Sequence, residues 1–441
     1  MLSRYHTLSL LFVCSLSLGC VRTEAVEAQE NADCPLQRTV GKKVAEEDPL
    51  LLALVLASQP IDKEIEGNGG NDLCAIILQQ VAVGWAAQGR MKEAEWGFAR
   101  AIEYARRTRQ KSNSRLRGLA DSCLESKCYE QALEAARFLR VEDRSRVFAE
   151  VSRAMAERGD KEAARELLED ASDRLDSNLQ AGGSAKNRAY RAIGLAHSVL
   201  GDQRSAEEAF DKGGKVDPSW PPVVRIRNHL EVGRLALHRG LLKEAVKHGK
   251  LALALSKRQK DEEVMVLTAI FLHEAGEHNL AKSALDSIDP NRALPQRVQG
   301  LARIGEADEA LKLLSLADGK TRAEGLYLVS AYLHEEKHKI GAVNLLRGVD
   351  SRHQDWRTLQ TVAELCARTG DVERAHRYYR NSLIAYRRDW PQLWRNPHQR
   401  AFVVANFGRE MAQAKLDPEP SDQKAYEDVV ETLSWPQSIR I

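Results

Sequence analysis

The chain lacks an excess of either charge. Sixty-five Lys and Arg stand against 63 Asp and Glu in 441 residues, a formal net charge of +2. A general nucleic-acid binder carries a basic excess on one face, so that class is set aside. β-Branched runs with period-two alternation are scarce, which argues against a sheet protein. There is no G-x-S-x-G, no G-x-x-x-x-G-K-[ST] and no dinucleotide-binding glycine fingerprint, hence no nucleophile elbow and no phosphate cradle. Gly213-Gly214, with Asp217-Pro218 following, reads as a loop that ends a repeat. A disulfide framework is lacking too. Beyond Cys14 and Cys20 near the N-terminus, the cysteines are Cys34, Cys74, Cys123, Cys128 and Cys366, an odd number at irregular spacing. Cys123 and Cys366 read as small buried hydrophobes. In an oxidising compartment Cys34 with Cys74 is the pair that would pin the N-terminal segment. Cys123 and Cys128 have no further ligands at metal spacing.

What the chain has is a repeat. Leu78 to Glu103 (LQQVAVGWAAQGRMKEAEWGFARAIE) reads as helix, turn, helix, with small residues Ala82 and Ala94 where two helices lie close. An Ala recurs at the same place in the second helix: Ala94, Ala132, Ala164, Ala206, Ala245, Ala281, Ala310, Ala342 and Ala375. Eight steps cover the 281 residues from Ala94 to Ala375, a period of about 35. Five residues before each Ala stands a turn position. Gly89, Gly159, Gly201, Gly240, Gly276, Gly305 and Gly370 fill seven of the nine, and Lys127 and Lys337 the other two. Gly enters the left-handed region at low cost and so ends the first helix. One such hairpin cannot bury its own apolar faces, so neighbours of the same kind are required. With 43% apolar and 29% charged residues, the reading is all-α: hairpins stacked in one curved superhelical rod.

On these columns the chain resembles the tetratricopeptide repeat (TPR) family. The first unit matches its pattern with Ala82, Trp85, Gly89, Ala94, Phe98 and Ala101, the fourth with Tyr190, Gly194, Gly201, Ala206, Phe210 and Pro218, and the fifth with Gly233, Ala236, Gly240, Ala245 and Ala252. The resemblance covers residues 72–415 and implies a right-handed superhelical α-solenoid of about nine repeats with capping helices. It implies non-catalytic protein or peptide binding in the groove lined by first helices, and no cofactor. The fold itself serves many partners. By the family pattern the groove positions include Arg188, Arg191, Arg227 and Arg234, with Val266, Ile270, His273, Tyr327 and His334 further along. Arg pairs with carboxylates in a bidentate manner, so an acidic peptide or a chain terminus is the expected ligand. The alternative is that these Arg pair with Glu on adjacent helices. The Lys and Asn clamp of the family's chaperone-tail binders is missing: Gln79/Val83, Arg117/Asp121, Arg191/Leu195 and Leu230/Arg234 occupy its positions.

The segments outside the repeats carry their own signals. Residues 1–20 have Arg4 followed by an apolar run from Leu8 to Leu18, which reads as a secretory signal. Gly19-Cys20 is similar to a bacterial lipoprotein cleavage box with Cys20 diacylated, although Ser17 stands where that pattern prefers Leu. Ordinary cleavage at Gly19 or near Ala28 is the alternative. The expected location is therefore the periplasm or outer membrane, with a lipid anchor. Residues 21–71 read as a linker and a capping helix over Asp48–Ser58, with Pro49 at its first position and Gly67–Asp72 as a loop before the first repeat. Arg106–Arg117, rich in Lys and Arg without aromatics, reads as a solvated loop. Pro397 can begin a closing helix that runs to about Lys415, with Tyr378, Tyr379, Tyr386, Trp390, Trp394 and Phe402 filling the last interface. Residues 416–441 read as a linker with a short helix.

One motif has a catalytic form. His334-Glu335-Glu336-Lys337-His338 matches H-E-x-x-H, in which two His one turn apart hold Zn²⁺ and the Glu is the base. The repeat alignment puts Lys337 in the turn, which separates the two His, and no third-ligand motif follows. A zinc hydrolase through His334, Glu335 and His338 is thus the remote reading. An assembly component of an outer-membrane complex is the nearer alternative to a peptide-binding scaffold.

Overall fold

The computed structural model of the chain describes residues 39–40, 48–57, 68–107, 112–178, 183–315, 325–326, 329–330, 355–391, 397–425 and 439–440. Helix α1 (Pro49–Ala57) precedes a run of antiparallel helix pairs. These are α2 (Asn68–Ala87) with α3 (Met91–Arg107), α4 (Ser112–Glu125) with α5 (Tyr129–Ala136), and α6 (Val141–Glu157) with α7 (Lys161–Ser177). Next come α8 (Gly183–Leu200) with α9 (Gln203–Gly213), α10 (Pro222–His238) with α11 (Leu242–Gln259), and α12 (Glu262–Glu274) with α13 (His278–Asp286). Then follow α14 (Pro290–Arg303) with α15 (Ala307–Ser315), and α16 (Trp356–Thr369) with α17 (Val372–Asp389). Helices α18 (Pro397–Gln413) and α19 (Pro420–Ala425) close the order. The architecture is an all-α solenoid of TPR-like hairpins.

Each described turn has one construction. The seven glycines carry φ between 73° and 92°, and Lys127 reaches 63°. The amide after each donates to the carbonyl five residues back, at 2.8–3.0 Å in all eight, from Arg90→Trp85 to Asp371→Cys366. That bond satisfies a carbonyl the helix would leave open and fixes the exit direction of the chain. The residue that donates it then accepts, through its own carbonyl, the amide of the alanine column at 3.0–3.1 Å. Every alanine is thereby placed at one point of the second helix, and all eight described are fully buried. Ala342 and Lys337 lie outside the described residues. In the third pair Ser152 stands opposite Ala164, and its hydroxyl donates to the Ala164 carbonyl at 2.6 Å. Ala82 meets Gly97, whose missing Cβ would lie 3.0 Å from the Ala82 methyl.

Two sequence expectations are corrected at the margins of the helices. Residues 68–72 are helical rather than a loop, and Asp72 takes both oxygens to Arg115, at 2.8 and 3.0 Å. Of the basic stretch, residues from Ser112 onward belong to α4, which places Arg115 and Arg117 on a helix. The reason is that Leu116, Leu119 and Ala120 are core residues, and only a helix buries them together. Cys74, Cys123, Cys128 and Cys366 are buried free thiols, and burial pushes the Cys74 thiol up to about 11. Cys20 and Cys34 lie outside the described residues. No described helix is long and apolar enough to cross a membrane.

The larger departure is at the ends, where the two capping helices meet. Helix α1 is Pro-Leu-Leu-Leu-Ala-Leu-Val-Leu-Ala, apolar on every side, so it needs burial all round. Asp48 caps it, accepting from the Leu50 amide at 2.9 Å, and also takes Arg90 at 3.1 Å. Leu50 is fully buried between Gly84 of α2 and Gly408 of α18. A Cβ at either glycine would lie 2.8 Å from the Leu50 methyls. Helix α18 packs on both α1 and α2, and Tyr379 meets Phe407 edge-on at 5.9 Å. One apolar cluster thus contains Leu50 to Ala171 at one end of the chain and Leu359 to Leu416 at the other. Thr39–Val40 pairs antiparallel with Ile439–Arg440. The solenoid closes end to end rather than stopping at two separate caps.

Truncating Leu50 to Ala opens this junction and should cost about 2–5 kcal/mol in urea unfolding. Small-angle scattering should then show a larger radius of gyration. Lys127→Gly relieves a left-handed lysine and should raise stability by roughly 1 kcal/mol, less the added chain entropy of glycine. Ala245→Leu should cost about 1–3 kcal/mol by wedging α10 from α11.

Candidate functional site

The first helices of the second, third and fourth pairs share a cleft of about 660 Å³. Arg117 and Asp121 come from α4, Arg146, Glu150 and Arg153 from α6, and Arg188, Arg191, Ala192 and Leu195 from α8. Five guanidiniums face two carboxylates. Repeat geometry produces the cluster, because residues at one height on consecutive first helices fall side by side.

The five arginines divide by what holds them. Arg146 bridges two pairs, donating to Asp121 at 2.5 Å and to Glu150 at 2.9 Å. Burial opposes its charge, but Glu150 and Asp121 outweigh that and hold its pKa above the ordinary value. Arg191 is buried, its side chain 8% exposed, and donates to the Gly213 carbonyl at 2.8 Å and to Glu231. Burial lowers its pKa despite Glu231. Arg153 lies 3.7 Å from Glu157, an ion pair too long for a hydrogen bond. Its Nε and that of Arg188 are buried without a hydrogen-bond partner among the described residues. Arg117 and Arg188 show no ion pair among the described residues. Donors of this kind are costly to leave unmet and are the natural contacts for an incoming carboxylate.

The four arginines expected from the sequence do not form one site. Arg188 and Arg191 line the cleft, and Arg191 pairs with Glu231. Arg227 is exposed away from it, and Arg234 lies 4.0 Å from Glu274. Val266 is buried in an apolar cluster instead of facing a groove, since it packs with Leu253, Met265 and Leu301. Tyr327 and the whole of His334 to His338 lie outside the described residues. Sequence reasoning missed Arg146, Glu150 and Arg153. Their signal was Ser152, seven residues before Gly159, as Ala82 is seven before Gly89.

Two histidine pairs stand in consecutive hairpins. His229 and His248 bring their Nδ1 atoms to 3.0 Å, and His273 and His278 to 2.9 Å. Burial first, then the neighbouring imidazole and Arg225, lowers His229 to about 4. The shifts of His248 and His273 have the same direction, with burial the first cause. The folded state therefore binds fewer protons than the unfolded one between about pH 6.5 and 4. Elsewhere, His376, Glu419 and Asp422 bring ligand atoms within 4.8 Å of one another. Asp422 is already engaged on both oxygens. It accepts from His376 at 2.6 Å, from Arg380 at 3.0 Å and from the Glu419 amide at 3.0 Å. A guanidinium on that carboxylate disfavours a cation, and the group serves to latch α19 to α17.

No protein-family model matches the sequence, and no curated protein matches it. Solved structures similar to the chain include the pilF protein of Pseudomonas aeruginosa, at 15% identity over 57% of this chain and 95% of that one, TM-score 0.24. A STAND signal-transduction ATPase with a tetratricopeptide repeat sensor, from Pyrococcus horikoshii, aligns at 14% identity over 83% of this chain and 54% of its own, TM-score 0.34. A circular tandem repeat protein aligns at 14% over 82% and 84%, TM-score 0.19. The repeat class of this chain stands on its own turns and alanine columns.

Two outcomes are expected. Arg191→Ala should cost about 1.5–3 kcal/mol in chemical unfolding through loss of its charge-assisted bonds, while Arg227→Ala should change stability by less than about 0.5 kcal/mol. Lowering the pH from about 6.5 towards 4 should reduce stability, and His229→Gln should flatten that part of the curve when melting is followed against pH.

Proposed function

We propose that the protein is a non-catalytic scaffold that holds an acidic peptide segment of another protein in the cleft of its first helices. The observation that carries this is the arginine cluster of three consecutive repeats, in which Arg117 and Arg188 have no carboxylate of their own among the described residues. Arg146, paired and half-buried, and Arg191, paired and buried, set the wall against which they stand. A peptide carboxylate would replace water on these two guanidiniums, whose helices are already fixed, so that only the side chains remain to be ordered. Rigid stacking of the first helices supplies that preorganisation.

The cell envelope is the proposed setting. Support comes from the signal-like residues 1–20 and the cleavage box at Gly19-Cys20, with Cys20 as the point of lipid attachment. Intact-mass measurement of the mature protein tests it: an unmodified N-terminus beyond Cys20 removes the anchor.

The cleft is tested with a fluorescent glutamate-rich peptide and, in parallel, by crosslinked affinity purification from envelopes. Arg117→Glu with Arg188→Glu should weaken peptide binding at least about tenfold, and wild-type affinity should fall as salt rises. Arg227→Glu should bind as wild type. Equal affinity of the double variant for the peptide and for the recovered partner would dispose of the cleft.

A further inference from the structure

Helix α11 presents a second charged surface that the cleft does not use. It belongs to the other layer of helices, and its outward face carries Lys243, Lys247, Lys250, Lys257 and Arg258, with Lys260 just beyond. Glu244 is the one acidic residue from 241 to 260. Lys250 reaches Glu277 at 3.0 Å and Lys247 lies 3.9 Å from Glu244; no ion pair holds the other four among the described residues. One large apolar side chain stands beside these charges, Leu251, 43% exposed; Leu241 and Leu242, also exposed, sit at the N-terminal end of the helix, where Leu242 continues the inner stripe of Ala245 and Gly249. A shallow hollow of about 450 Å³ is formed by Lys243, Val246, Lys247, Lys250 and Leu251.

The inner face of the same helix explains why this face is free. Ala245, Gly249, Ala252, Leu253 and Ser256 are buried against α10 and α12. The missing Cβ of Gly249 lets Leu272 and Phe271 approach to within 2.7 and 2.9 Å of where it would be. These inner residues make the contact with α10 and α12, and Leu251 lies on the opposite side of the helix, among the lysines.

We infer that the outward face of α11 is a docking surface for an anionic lipid bilayer. Charge complementarity and the arrangement of side chains favour that occupant. Lysine ammoniums are hydrated point charges on flexible stems, suited to headgroup phosphates at no fixed geometry. An acidic protein partner would favour the forked arginines that the cleft uses instead. Lysine stems lie along apolar surface with their charges in water, and an apolar side chain among them, as Leu251 is, enters the acyl boundary.

The test is sedimentation of the full-length chain with vesicles rich in phosphatidylglycerol and, separately, with pure phosphatidylcholine vesicles. Partition should be greater on the anionic vesicles and decline with salt. Lys243→Glu, Lys247→Glu and Lys257→Glu together should lower partition on anionic vesicles at least about tenfold. Leu251→Ser should lower it while leaving the salt slope unchanged. These residues are exposed, and unchanged circular dichroism establishes that the variants fold; the Leu251 variant decides the matter should the charge variant misfold. An acyl group on Cys20 raises partition on both vesicle types alike, so the anionic excess reports the helix and not the anchor. The cleft variant, Arg117→Glu with Arg188→Glu, should sediment as wild type. Equal partition on the two vesicle types, wild-type behaviour of both α11 variants, or loss confined to the cleft variant would overturn the inference.

Discussion

The structure depends on one approach: a first helix and a second helix lying close enough that only alanine, glycine or serine fits between them. Left-handed residues make that approach reproducible. Each sends the next amide back to the first helix at 2.8–3.0 Å, and the carbonyl of that same residue then starts the second helix at the alanine column. With the hairpin geometry fixed, the only freedom left is what stands at each height on the first helices. The cleft follows from this constraint, because arginines separated by some thirty residues in sequence come to adjacent places in space. Residue choice at the turn matters less than conformation, as Lys127 shows by making the glycine bonds with a lysine.

Stacked hairpins leave two exposed ends, and this chain covers each with the other. Helix α1 has no polar face to offer solvent, and Leu50 fills a socket made by glycines more than three hundred residues apart in sequence. Closure also changes the meaning of the polar tie at the middle. One apolar cluster finishes at Ala209 and the next begins at Ile226, with Gly213-Gly214 and three prolines between them. Across that gap stand the Arg191 bonds to Gly213 and Glu231 and the stacking of Arg239 on Phe210 at 4.8 Å. A buried guanidinium is costly unless paired and hydrogen-bonded, and here it is both. Arg191 therefore reads as a joint between two hydrophobic blocks, even though it lines the cleft.

The fold was legible because its determinants are local and periodic. Gly at one offset and Ala five residues later identify a turn and a close contact without knowledge of anything distant. Asp48 and Pro49 announced their helix for the same reason, and the capping bond to Leu50 is present at 2.9 Å. Closure was not legible: Gly84 and Gly408 are each an unremarkable small residue until Leu50 is seen between them. The cleft was half legible. Family spacing finds Arg188 and Arg191, yet nothing along the chain says that Glu231, forty residues on, will take Arg191. Ion-pair partners of that kind are set by how one hairpin is rotated on the next, which no single repeat records.

A near-zero net charge conceals how the charges are sorted. Five arginines gather on first helices around a cleft with two acids, while lysines dominate the outward face of α11 with one. The separation by residue type has a physical sense. Guanidiniums tolerate partial burial because their charge is spread and their forks can be satisfied by a carbonyl and a carboxylate at once, as Arg191 does. Ammoniums tolerate it poorly and remain where water reaches them. A cleft built from arginine selects ligands by geometry, and a lysine face selects them by charge density alone. The same solenoid can carry both surfaces because its two helix layers are packed to each other by residues that belong to neither.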